Sequence, residues 1–247
     1  MTVTKKSTGD ENKMLISCKY NFLFIHNPKV AGSSLEKSLR KTILNDWEYF
    51  NYKIDWVLQR VNFRLGNKVN LRNYLYSDPM GWVYDSFKFP QGYLNPHASA
   101  LDVRNLIGQD KYNEFFKFAF VRNPWDLQVS IYKYICWRKL HPLHHVVRAM
   151  SFEEYIYWQA QKKIGLQKRF LADENGEIIL DFIGRFETLQ KDYEKILELL
   201  KLPEVKLPNV NQNHQRQRDY RSYYNEETKN IISEHLKEDI ELFGYSF

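Results

Sequence analysis

Short unbroken apolar runs alternate along this chain with longer stretches in which apolar residues return every three or four positions. "NFLFIH" (21–26) is too short for a helix and reads as a buried strand. Leu35, Leu39 and Ile43 then share one helical face, and Ser33 or Ser34 is placed to cap that helix. "ASALDVRNLIG" (98–108) sets Leu101, Val103, Leu106 and Ile107 in a helical pattern that closes on Gly108. "FFKFAFV" (115–121) is a second strand stopped by Asn123-Pro124, and "WDLQVSIYKYICW" (125–137) restores the helical period. A third strand is expected at "IILDFIGRF" (178–186) and a helix at "TLQKDYEKILELL" (188–200), with Leu189, Tyr193, Ile196, Leu197 and Leu200 on one face. The chain closes on an amphipathic helix, "NEETKNIISEHLKEDIELFGY" (225–245), through Ile231, Ile232, Leu236 and Ile240. Strands alternating with helices predict an α/β domain with a mostly parallel sheet. Residues 45–96 hold Trp47, Tyr49, Trp56, Trp82 and Tyr84 but no period that assigns elements.

Composition narrows the class. With 247 residues, 43% of them hydrophobic and 16% aromatic, the chain can bury a sizeable core. Residues 1–20 form a polar tail that lacks the apolar centre of a signal peptide, and residues 21–247 read as one domain without internal repeat or linker. No run approaches the roughly 18 apolar residues of a membrane span. Cys18 and Cys136 are the only cysteines and no Asn-x-Ser/Thr acceptor occurs, so a reducing, cytoplasmic setting is expected, with no membrane partner. The formal charge of +6 favours an anionic ligand but is too modest and unclustered for a nucleic-acid binder.

Candidate chemistry begins at "HNPKVAGSSL" (26–35), where Lys29, Gly32, Ser33 and Ser34 join a strand to a helix. That order converges backbone N–H groups and the positive end of a helix on one point, which suits an anion. It is not a Walker A loop: Lys29 precedes Gly32, and no hydroxyl stands where Mg²⁺ would be held. "VRNPWDLQVSIY" (121–132) repeats the strand-to-helix design with Arg122, whose forked donors suit phosphate, and Ser130 two helical turns on. Seven histidines are available as proton acceptors near neutral pH: His26, His97, His141, His144, His145, His214 and His235. His26 reads as a loop-packing residue and His235 as part of the last helix. "HPLHH" (141–145) matches no metal spacing and reads as a solvated loop or a substrate-facing surface.

These two motifs, with "IGRFETLQKDYEKI" and "YRSYYNEETKNIISEHLKEDIELFGYSF", resemble the sulfotransferases that use 3′-phosphoadenosine 5′-phosphosulfate (PAPS), nearest to the Golgi carbohydrate type and its soluble bacterial relatives. The resemblance runs from about residue 21 to the C-terminus, apart from about 45–90. It implies a P-loop-like nucleotide-binding fold with helices flanking the sheet, PAPS as sulfuryl donor, the desulfated nucleotide PAP as product, and no metal. In that pattern Lys29 contacts the leaving oxygen and Gly32, Ser33 and Ser34 wrap the 5′-phosphate. Arg122 and Ser130 hold the 3′-phosphate, and His97 occupies the place of the catalytic base, with Asp102 a weaker candidate. Val30-Ala31 departs from relatives that carry a hydroxyl or Gly there, so one side-chain contact is in doubt. The acceptor would be a hydroxyl or amine of a glycan or small molecule. The segment 133–148, basic and without acidic residues, suits an anionic acceptor or a solvated lid equally. A P-loop nucleotide kinase and a non-catalytic nucleotide- or polyanion-binding module are the alternatives.

Overall fold

The computed structural model describes residues 15–17, 19–44, 97–207 and 219–247. Trp47, Tyr49, Trp56, Trp82, Tyr84, Cys18 and His214 lie outside them. Four strands make one sheet in the order β1 (Leu15–Ser17), β2 (Phe22–Ile25), β3 (Phe116–Val121), β4 (Phe182–Arg185). β1 runs antiparallel to β2, with Leu15 opposite Phe24. β2, β3 and β4 are parallel, with Phe24 opposite Phe118 and Phe120 opposite Gly184. The mostly apolar runs of β2 and β3, broken by Lys117, follow from being covered on both faces.

Nine helices accompany the sheet among the described residues: α1 (Gly32–Ile43), α2 (Ala100–Ile107), α3 (Gln109–Glu114), α4 (Pro124–Trp137), α5 (His144–Arg148), α6 (Phe152–Gln161), α7 (Leu189–Leu199), α8 (Glu226–His235) and α9 (Lys237–Phe243). One sheet face packs Phe22, Phe24, Phe118 and Phe120 against Leu35 and Leu39 of α1 and Tyr193, Ile196 and Leu197 of α7. The other packs Leu23, Ile25, Ala119 and Val121 against Ala100 and Val103 of α2, Tyr112 of α3 and Phe243 of α9. A third apolar cluster joins α4, α6 and α8 through Trp125, Val129, Tyr155, Ile156 and Ile232. Gly184 belongs to the first packing problem: a Cβ there would sit 2.5 Å from the Phe120 ring.

Four differences from the sequence reading have local causes. β1 falls inside the expected tail; its Leu15 and Ile16 alternate onto the two faces of the sheet, too few residues to show a period. The third strand is shorter than 178–186, because Asp173 accepts N–H bonds from Asn175 and Glu177 in a tight turn and Ile178 pairs back with Ala172. The last helix breaks at Leu236, where buried Asp239 turns to accept the backbone N–H groups of Gln167 (2.6 Å) and Lys168 (2.9 Å). α6 lies where the sequence reading places no element, although Ser151 and Glu154 form a capping box at its start. No helix among the described residues is long and apolar enough to cross a membrane.

Candidate functional site

β2 and β3 are adjacent and parallel, so the loops that leave their carboxyl ends emerge side by side. Gln167, buried between them, ties the two together. Its Oε1 accepts from Asn27 Nδ2 (3.2 Å) and from the Arg122 N–H (3.0 Å), while its Nε2 donates to the Arg122 carbonyl (2.8 Å). Asn27 also donates to the Phe120 carbonyl at 3.2 Å. Nothing local in the sequence marks Gln167 for this part, since its partners lie 45 and 140 positions away.

The β2 loop makes its turn with Lys29 and Ala31 both in the left-handed region, at φ 64° and 63°. Ala31 is the N-cap of α1, its carbonyl accepting from the N–H groups of Ser34 (2.9 Å) and Leu35 (3.1 Å), and no side chain caps the helix. The expected serine cap is therefore corrected: Ser33 and Ser34 lie inside the first turn, one exposed and one buried, because the two left-handed residues start the helix earlier. The first-turn N–H groups are thus presented without a side-chain acceptor. Val30 is buried in the core, so a hydroxyl at that position would not be at the helix end.

Arg122 is locked from two sides. Its Nε donates to Asp126 Oδ2 (2.8 Å) and its Nη1 to the Lys29 carbonyl (3.0 Å), with the Phe186 ring 3.9 Å from the guanidinium. Ser130 stands half-buried on α4, eight positions on. Four residues further, the Tyr134 ring lies 3.9 Å from Lys29 Nζ. Burial, then the positive charges of Arg122 and Arg138, lower the Lys29 pKa from 10.5 to about 8. Among the described residues no carboxylate forms an ion pair with Lys29. Its ammonium rests on a neutral π-face instead.

His97 stands exposed ahead of α2, with Nδ1 3.0 Å from the His26 carbonyl. As the Nδ1–H tautomer it donates there, which makes Nε2 the proton-accepting nitrogen of the ring. Asp102, the alternative base, is spent on the helix cap: its Oδ2 accepts from the N–H (2.9 Å) and hydroxyl (2.7 Å) of Ser99. The "HPLHH" segment is not a simple solvated loop. His144 is buried with Nδ1 3.0 Å from the Ile135 carbonyl, and His141 Nδ1 accepts the Leu143 N–H. Among the described residues no group of three His, Cys, Asp or Glu could hold a metal ion.

Residues 12–246 match the model of the sulfotransferase family. The chain is a member of the sulfotransferase family. An uncharacterized protein of Archaeoglobus fulgidus is 27% identical over 113 residues, which span 41% of this chain and 81% of the relative. No solved structure matches. Sulfuryl transfer is the chemistry that membership supports, and the sulfotransferase fold accounts for the four-stranded, mostly parallel sheet with flanking helices.

Proposed function

We propose that this sulfotransferase takes its sulfuryl group from PAPS and delivers it to a hydroxyl or amine of an acceptor. The observation that carries the reading is the concentration of positive charge at the uncapped end of α1. Lys29, Arg122 and Arg138 lie close enough for the latter two to lower the Lys29 pKa, while Lys29 has an aromatic face rather than a carboxylate beside it. Asp126 offsets the Arg122 charge in part, and an incoming anion would offset the rest.

The residues fit a nucleotide with phosphates at both ends. Gly32, Ser33 and Ser34 would hold the 5′-phosphosulfate on first-turn N–H groups and hydroxyls, and Arg122 with Ser130 the 3′-phosphate. Bound there, the nucleotide supplies an activated sulfuryl group. His97 Nε2 takes the acceptor proton as the acceptor oxygen (or nitrogen) bonds to sulfur. The Lys29 ammonium stabilises the electron pair left on the phosphate oxygen when the sulfur–oxygen bond breaks. No step requires a metal.

Calorimetry against PAP and against adenosine 5′-monophosphate tests the reading. PAP should bind much more tightly, and Arg122→Ala should remove most of the difference. Equal affinities in the unmodified protein would overturn it.

A further inference from the structure

His26 does not behave as the packing residue its sequence position suggests. Only 7% of it is exposed, and no hydrogen bond to either ring nitrogen forms among the described residues, although neither nitrogen is fully enclosed. Phenylalanine would fill the same place on Phe24, against which the imidazole stacks at 5.8 Å and 18°. What phenylalanine lacks is the nitrogen. His26 Nε2 lies against Gly32, the first residue of α1, so closely that a Cβ on Gly32 would sit 1.8 Å from it. Gly32 is therefore needed to let the imidazole reach the helix end, as well as to let an anion do so. On its other side the His26 ring meets the His97 ring edge-on, with centroids 4.7 Å apart, and its carbonyl holds His97 Nδ1. One side chain thus touches both the anion-holding turn and the base.

We propose that His26 is a second imidazole of the reaction centre, donating Nε2–H to an oxygen of the donor's 5′-phosphate at the end of α1. This rests on the donor assignment above. The ring can keep that role because it does not charge: burial first, then the neighbouring His97, push its pKa down to about 3. When His97 takes the acceptor proton, its positive charge opposes protonation of His26 still further, so the two imidazoles cannot exchange parts. Lys29 supplies the charge at the leaving oxygen, and His26 supplies a fixed, uncharged donor in a water-poor corner, where such a bond is strong.

The test uses His26→Phe, which keeps a flat ring and removes the donor, and His26→Gln, whose amide can restore it. Expected is a fall in kcat of about a hundredfold for Phe with a smaller change in donor KM, and recovery of most of it by Gln. In protein labelled with ¹⁵N-histidine, His26 should stay neutral from about pH 5 to 8, and its Nε2 resonance should move on addition of PAP. A Phe variant with unmodified turnover, or a Gln variant as impaired as Phe, overturns the proposal. Should the Phe variant not fold, an Nε2 resonance unmoved by PAP does the same. If the unmodified protein neither binds PAP nor transfers from PAPS, the donor assignment falls and His26 with it. If transfer is normal and only the His26 results fail, the donor assignment stands.

Discussion

The chain leaves β2 and β3 by the same dipeptide, Asn27-Pro28 in one case and Asn123-Pro124 in the other, and each time enters a helix. The two helix ends are nevertheless built for opposite purposes. Asn123 closes α4 from within: its Oδ1 accepts from the N–H groups of Trp125 (3.1 Å) and Asp126 (3.3 Å), with Pro124 opening the helix. Asn27 instead spends its amide on Phe120 and Gln167, and the chain makes two left-handed turns before α1 begins without a side-chain cap. One end is satisfied by its own chain and serves as a scaffold that aims Arg122. The other presents its first-turn N–H groups with no side-chain acceptor.

Changes at the open end and at its base should be the most damaging. His97→Ala should lower kcat by about 10²–10⁴-fold and leave PAP affinity nearly intact. Near-normal turnover would show that another residue accepts the proton. Lys29→Ala should cost roughly 10²–10³ in kcat, with a smaller loss in PAP affinity. Because the Lys29 pKa is lowered to about 8, its charge is present below that pH and lost above it. PAP affinity should therefore weaken as pH rises through about 8, and titrations of Lys29→Met should lack that limb. The depressed pKa also means that the folded protein bears the cost of the buried charge at low pH and is relieved of it between about 8 and 10.5.

The comparison itself can be broken by making the open end resemble the closed one. Ala31→Asp places a carboxylate at the N-terminus of α1, at a left-handed position that Asp tolerates. It should weaken PAP binding by about tenfold or more through charge repulsion at that end, without unfolding the protein. Unchanged affinity would mean that the anion does not sit there. The smallest effect belongs to the closed end. Asn123→Ala removes a cap, costing about 1 kcal/mol and a few degrees in Tm by scanning calorimetry, while PAP affinity changes little.

Much of this contrast cannot be seen in the motifs alone. A cap at Ser33 or Ser34 is a sound inference from residue preference, but the left-handed conformations of Lys29 and Ala31 move the helix start, and preference does not report φ. Asp102 is the reverse case. "SALD" (99–102) is a capping box in plain sight, and its geometry commits one oxygen of that carboxylate to the helix end.

What the sequence by itself determined was everything that repeats over a few residues. The buried runs of β2 and β3, the faces of α1 and α7, and the placement of Lys29 and Arg122 at strand ends all follow from short-range pattern, because strand and helix periods are written locally. Tertiary structure alone decided which distant groups meet. Gln167 bridges the two loops, Tyr134 carries the Lys29 ammonium, and His26 lies between Gly32 and His97, 71 positions apart from the latter. Those meetings depend on the register of parallel strands and on helices folding back over the sheet. Both are set by the packing of whole faces rather than by any one stretch of chain.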